Sequence, residues 1–538
     1  MSTNRLVLEN ALTSEEYSQI DHFCMENKEV RSLPQLSKFL EQLGVKLVID
    51  MGIVSGFVTD SSNLPGSASA VARPANEREC AAILRACFQA EIPVTVSAGR
   101  SNLTGSATPH GGVVINTAKM LTPEVKVNET SMTVVSPVGI ILEDLRTQVL
   151  EQTQNRLIFS VNPTSRADAA IGGALACNAS GFSPGEVGAF RNWVESLDFL
   201  FPNGKKLSAT RNQYVSEDGK FIIVDDGKES DFMVPTYSRP NMKNASGPYS
   251  NPAGRMDFID LVVGSEGIFG LATACQLKVE RRPSEYLDIF FSLPSETNAI
   301  ACHQYIHDNL EGGEESLTAL EYFGVNCRTY MKHDDKLFNG DDQVAIYVQV
   351  PLYDKSLDDA AAEWYEFLTQ MPEACGISED AIMLLTNDRE REMFMESRHS
   401  MPANAVEVVQ RRGTYTIMTD AIVPPDKFSE YLDYVHGTIR AEGLDYLAFG
   451  HLGDCHLHFT ILPEKETLEN ATKIYNGIID KASDLGGVYS AEHGTGKRKR
   501  ADFFKCYGPE GVNQIKRAKS TVDPHFLINR DNVIEYVQ

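Results

Sequence analysis

Residues 93–117 read PVTVSAGRSNLTGSATPHGGVVINT: two β-rich runs, Pro93–Ser97 and Val113–Thr117, on either side of a loop of Gly, Ser, Asn and Thr. This order is strand–loop–strand, not the strand–loop–helix that a dinucleotide-binding βαβ unit needs. No GxGxxG is followed by a helix and no GxxxxGK[ST] occurs, so the dinucleotide fold and the P-loop are both unsupported. Two readings of the loop remain open. Successive backbone N–H groups of small residues can line a concave anion site, or the segment is a solvated hairpin loop.

Two other segments share this small-residue character. NPTSRADAAIGGALACNASG (162–181) carries Gly172, Gly173 and Gly181. Such residues let backbone approach a flat ligand, or let helices pack tightly. VVGSEGIFGLAT (262–273) is an apolar run interrupted by Gly–Ser–Glu–Gly, with Glu266 between two glycines.

The densest chemistry lies at GHLGDCHLH, residues 450–458. YLAFGH and HLHFTIL are β-like, and LGDC between them is turn-like. In a hairpin centred between Asp454 and Cys455, His451 faces His458, with Cβ atoms roughly 5 Å apart. His456 shares the face of His458, because strand side chains alternate. The spacing thus allows more than one pair of metal ligands. SAEHGTG (490–496) offers a completing carboxylate in Glu492 and a free base in His493. Two imidazoles and a carboxylate hold Zn²⁺, Mn²⁺ or Fe²⁺ with positions open for substrate. His303 and His307 have i,i+4 spacing but lack an HExxH acid and read as a solvated helix face.

The remaining chain sets limits. Its 538 residues suggest two to four domains at roughly 150 residues each. With 74 Asp+Glu against 49 Lys+Arg, the net charge of −25 argues against nucleic acid and anionic membranes as partners. The cysteines lie singly with no CxxC, which fits reduced thiols in the cytoplasm and excludes the usual iron–sulfur ligation. The first residues are acidic where a targeting peptide is not, and no apolar run is long enough to span a membrane. Cys80, Ile83, Leu84, Cys87 and Phe88 predict a helix, with Asn76 and Glu79 as its capping box. Residues 1–45 read as short amphipathic helices and 205–256 as long polar surface loops.

Taken in order, PVTVSAGRSNLTGSA, IGGALACNASG, VVGSEGIFG, GHLGDCHLH and SAEHGTG resemble the FAD-linked oxidases of the vanillyl-alcohol-oxidase type. The similarity is to the D-lactate, glycolate and D-2-hydroxyglutarate dehydrogenase branch. It implies an α+β fold: a PCMH-type FAD-binding domain of two subdomains (46–282) after the N-terminal segment (1–45). An antiparallel-sheet cap domain (283–485) and a C-terminal segment returning to the FAD domain (486–538) follow. It also implies FAD contacts at Ser97, Ala98, Gly99, Arg100, Ser101, Asn102, Gly105, Gly172, Gly173, Glu266, Gly267 and Ile268. Among the open pairs it selects His451, His458 and Glu492 as ligands of a divalent metal (Zn, Mn or Fe). His493 becomes the base, and Arg398, otherwise a surface residue, grips the substrate carboxylate.

The sequence departs from the family at Arg100, where the loop usually has glycine, and at Cys455 and His456, in place of Gly and Asn. Met418 stands where 2-hydroxyglutarate enzymes carry lysine. The expected activity is oxidation of a D-2-hydroxy acid to the 2-oxo acid. Its expected partners are that small molecule and a separate electron acceptor (protein, quinone or oxygen), with a homodimer left open. The alternatives are a metal-free flavin oxidoreductase for a sugar, aldonolactone or other alcohol, a flavin-free His₂–carboxylate metalloenzyme, and a non-enzymatic flavoprotein subunit.

Overall fold

A computed structural model describes residues 3–26 and 33–536. The run 93–117 forms two strands, Val94–Ser97 and Val113–Asn116, but they pair in parallel, Val94 opposite Val113. The intervening loop is therefore a crossover and not a hairpin. With Ala70–Ala72 and Leu47–Val48 they make a four-stranded sheet. Helix Glu77–Gln89 follows the predicted stripe, burying Cys80, Ile83, Leu84 and Cys87. Its cap forms as predicted: Asn76 Oδ1 accepts from Glu79 N–H at 3.0 Å. Glu79 accepts in turn from Ala75 N–H at 2.8 Å.

A second, six-stranded antiparallel sheet runs Glu9–Asn10, Lys205–Thr210, Val194–Leu200, Leu271–Lys278, Thr133–Pro137, Lys126–Asn128. The N-terminal segment is thus not helical alone. Glu9–Asn10 edges this sheet, and Arg5–Val7 pairs in parallel with Lys220–Asp225. The expectation of surface loops over 205–256 is also corrected. Lys205–Thr210, Lys220–Asp225 and Lys228–Met233 are strands. Lys243, Asn244, Ser246 and Ser250 are buried. Polar residues tolerate burial here because they are paired: Ala245 N–H and Ser246 Oγ both donate to Ser490 O (3.0 and 2.9 Å).

The chain leaves these sheets between Arg281 and Glu285 and builds a seven-stranded antiparallel sheet. Its order is Ile382–Leu384, Glu285–Leu293, Val344–Leu352, Ala319–Phe323, Tyr446–His451, His456–Ile461, Ile417–Met418. Alternation sorts the side chains. Ile289, Phe291 and Leu293 join the main core, while Phe290 turns to a second one with Phe323, Tyr347 and Phe394 of helix Asp388–Arg412. Both faces are therefore covered. His303, on helix Glu296–Asn309, is buried rather than solvated, while His307 is exposed and pairs with Glu314 at 3.0 Å.

Beyond helix Leu468–Asp484 the chain turns back at Gly486–Gly487. After helix Arg500–Val522 it rejoins the first sheet, where Val94 N–H donates to Leu527 O and Asn529 N–H to Val94 O (2.9 and 2.7 Å). Among the described residues no helix is long and apolar enough to cross a membrane.

Candidate active site

The three small-residue segments converge on one cavity of about 450 Å³, within the usual range for a small-molecule site. Ser97, Ala98, Gly99, Arg100, Ser101 and Asn102 form one wall; Gly172, Gly173, Glu266 and Gly267 form others; His451, Glu492 and His493 close one end. Two predicted contacts lie outside this lining. Gly105 is turned away at φ 80°, and its carbonyl accepts from Lys497 Nζ at 3.3 Å. Ile268 is fully buried, and its carbonyl accepts from Lys519 Nζ at 2.9 Å.

The loop is held by its own side chains. Asn102 Oδ1 accepts from Thr104 N–H (2.9 Å) and Ser106 N–H (3.0 Å). Gly99 is required by contact, since a Cβ there would sit 1.9 Å from Asp168 O. At Gly173 a Cβ would meet only Ala98 Cβ, at 3.7 Å, so the absent side chains leave a flat open wall. Such walls fit a planar ring system. The Arg100 guanidinium does not reach in; it binds Gly56 O at 2.5 Å and lies over Phe57.

At the closed end, the hairpin register differs from expectation. His451 lies opposite His456, and Phe449 opposite His458. The turn Leu452–Asp454 is one 3₁₀ turn ending at Cys455 with φ 54°, which centres the hairpin between Gly453 and Asp454. All three imidazoles still share one face. Ligand atoms of His451, His456, His458 and Glu492 lie within 4.8 Å of one another.

Buried partners orient two of these rings. His451 Nδ1 donates to Glu321 Oε1 (2.5 Å), turning Nε2 toward Glu492 Oε1 at 3.1 Å. His458 Nδ1 donates to Thr419 O (3.1 Å), freeing its Nε2. This is the arrangement found behind metal-ligating histidines. Burial opposes charge on His451, but Glu321 and Glu492 outweigh it and lift its pKa to about 10. His458, desolvated among other histidines, is pushed down to about 3 and stays neutral. Glu492 Oε1 is buried without a well-aligned hydrogen bond, although Lys243 Nζ lies 2.6 Å away. The donor set, three imidazoles and a carboxylate converging on one point, fits a divalent cation.

Two acids that the motif reading missed organise the site. Asp420 is 1% exposed; its oxygens accept from Glu492 N–H (3.3 Å), His493 N–H (3.1 Å) and Lys499 Nζ (2.8 Å). Burial would raise its pKa, but His493 and Lys499 hold it well below the carboxylate range. Glu321 joins His451 to Arg398, whose Nη2 lies 3.3 Å from its Oε2. The Arg398 guanidinium stacks on Phe182, a cavity residue, at 4.5 Å. Both acids sit in apolar sequence, ALEYF and MTDAIV, the signal that had marked Glu266. Lys243 had no such signal.

Comparison with known proteins agrees with this architecture. A family model described as "FAD binding domain" matches residues 68–210, and one described as "FAD linked oxidases, C-terminal domain" matches 299–533. D-lactate dehydrogenase of Anaerostipes hadrus is 22% identical over 508 residues, covering 92% of this chain and 96% of that protein. Glycolate oxidase subunit GlcD of Bacillus subtilis is 24% identical, covering 86% and 87%. The mitochondrial D-2-hydroxyglutarate dehydrogenase of Rattus norvegicus is 22% identical, covering 86% and 78%. The structure of 4-ethylphenol oxidase from Gulosibacter chungangensis superposes with a TM-score of 0.65 at 15% identity over 99% of both chains, a likeness of fold. With both family models met in chain order around one cavity, the chain belongs to the FAD-linked oxidases of the vanillyl-alcohol-oxidase type, an oxidoreductase family built on an FAD-binding domain.

Proposed function

We propose that the protein oxidises a D-2-hydroxy acid to its 2-oxo acid. The observation that carries this is the meeting, in one cavity, of the small-residue walls with His451, Glu492 and His493. Gly99, Ser101, Asn102, Gly172, Gly173 and Glu266 would hold FAD; His451, His458 and Glu492 would hold a divalent metal. When bound, the flavin supplies a two-electron acceptor and the metal supplies Lewis acidity at the substrate oxygens.

The chain's own residues do the rest. His493 Nδ1 lies 3.3 Å from Asp420 Oδ2, which orients the ring and leaves Nε2 to take the substrate proton. Its ring stacks on His458 at 5.6 Å, so the base is fixed in direction. Arg398, aligned by Glu321 and Phe182, supplies a guanidinium for the substrate carboxylate, fixing Cα toward the flavin wall. Electrons then pass to a separate acceptor, since among the described residues no second redox centre is suggested by the cysteines, which are single and mostly buried.

The test is anaerobic: flavin absorbance is followed as D-lactate, glycolate, D-2-hydroxyglutarate and larger D-2-hydroxy acids are added, with and without a chelator. Bleaching by one acid, lost on chelation and restored by metal, supports the reading. Bleaching by none refutes it.

A second reading has its own support. The Lys243 ammonium beside Glu492 and 3.3 Å from Asp454 can balance the cluster's negative charge without a metal. That suits a flavin-dependent oxidation of a sugar, aldonolactone or other alcohol, and predicts activity indifferent to chelation. The flavin-free metalloenzyme is displaced by the match to the FAD-binding model.

A further inference from the structure

We propose that His456 is a fourth metal ligand, so that this chain holds its ion with three imidazoles and one carboxylate. The inference rests on the metal reading above and concerns a residue outside its His451–His458–Glu492 set.

His456 is completely buried, and neither ring nitrogen has a well-formed hydrogen bond among the described residues. Its ring lies 4.6 Å from that of His458 and 5.5 Å from that of His451. The two nitrogens face different groups. Nε2 is 3.2 Å from Asp420 Oδ1, and Nδ1 is 4.0 Å from Glu492 Oε1. An imidazole that served only Asp420 would bury its other nitrogen with nothing to bind, which is costly. With Nε2–H directed at Asp420, the Nδ1 lone pair points among the other donors. His456 then repeats the pattern of His451 with Glu321 and His458 with Thr419 O: one nitrogen on a buried oxygen, the other free for an ion.

The hairpin register explains why this position can contribute. His456 is directly opposite His451 and two residues from His458 on the same face. It thus falls between two donors instead of beyond them. Cys455, with φ 54°, sets that register.

A fourth protein ligand changes what the site selects. Three imidazoles favour Zn²⁺, Fe²⁺, Co²⁺ or Ni²⁺ over Mg²⁺ and Mn²⁺, which prefer oxygen. In a six-coordinate ion two positions remain, enough for one hydroxyl and one carboxylate oxygen of a substrate.

The experiment uses the flavin-loaded protein, stripped with a chelator and titrated with Zn²⁺ and Mn²⁺ against a competing indicator. X-ray absorption of the Zn²⁺-loaded wild type counts imidazoles. Three imidazoles support the proposal; two overturn it and leave the metal reading standing. His456→Asn and His456→Phe should weaken Zn²⁺ by more than the roughly 10–100-fold typical of losing an outer partner of a ligand, and Mn²⁺ by less. Unchanged affinity in variants that keep their flavin also overturns it. A wild type that takes up neither ion removes the metal reading and this inference together.

Discussion

The Asp420 carboxylate and the Lys499 ammonium lie 2.8 Å apart, with side-chain exposures of 1% and 8%. The pair ties the chain just after edge strand Ile417–Met418 of the seven-stranded sheet to the loop that carries Glu492 and His493. Asp420→Ala leaves an ammonium buried without its partner and should cost about 3–5 kcal/mol. The double variant Asp420→Ala/Lys499→Met should recover much of that loss. Urea unfolding of the single and double variants checks this; equal losses in both would mean that the backbone N–H contacts of Asp420, not Lys499, carry its contribution.

His493→Ala should retain flavin, since the ring lies at the end of the cavity rather than along its small-residue walls. Reduction of the flavin by substrate should slow by roughly 10²–10⁴-fold, the usual contribution of a positioned base. Stopped-flow absorbance without oxygen measures it. Wild-type reduction rates in the variant would remove His493 from the proton-transfer step.

Arg398→Ala removes the guanidinium and leaves Glu321 with His451 alone. A charge-assisted bond to a carboxylate is worth about 1.5–3 kcal/mol, so kcat/KM should fall roughly 10–100-fold, mostly through KM. An alcohol without a carboxylate should feel little of this. Equal losses for both substrate types would mean that Arg398 acts by holding Glu321 and not by binding the acid.

Burial pushes the Glu266 carboxyl from its ordinary 4.5 up to about 7, against the opposing N–H groups of Thr495 and Gly496 at 2.6 and 2.7 Å. Between those values the native protein binds a proton that the unfolded chain has released. The contribution of Glu266 to stability is therefore fully present below about pH 4.5, declines as pH rises through 7 and is absent above it, a change of up to about 3 kcal/mol. Unfolding free energies of wild type and Glu266→Gln at pH 5 and pH 7.5 isolate this contribution. A difference between the two proteins that does not change with pH would show that the N–H groups keep the carboxylate ionised.

Much of this architecture is written locally. The stripe at Cys80–Phe88 and its Asn76 cap specify their helix from neighbours alone. The small-residue segments mark a cavity wall because only Gly99 fits against Asp168. What local pattern could not supply was pairing. Parallel pairing of Val94–Ser97 with Val113–Asn116 depends on the return of the chain, and the hairpin register depends on one left-handed residue, Cys455. Lys243 looked like surface because its segment is polar; it is buried because Asp454 and Glu492, more than 200 residues later, neutralise it. Asp420 and Glu321 stand as acids in apolar runs that went unread, and nothing in those runs names the histidines they hold.

The Asn529 side chain accepts from Val96 N–H at 2.7 Å and donates to Glu266 O and Gly267 O at 3.1 and 2.9 Å. One residue thus latches two walls laid down hundreds of residues earlier in the chain. A chain emerging from the ribosome can form the first sheet and the glycine-rich segments, but it cannot fasten them together until this latch has been synthesised and has folded back. The cavity is therefore completed long after the segments that line it have been made. Asn529→Ala should show itself as a protein that folds its seven-stranded sheet and fails to retain its cofactor.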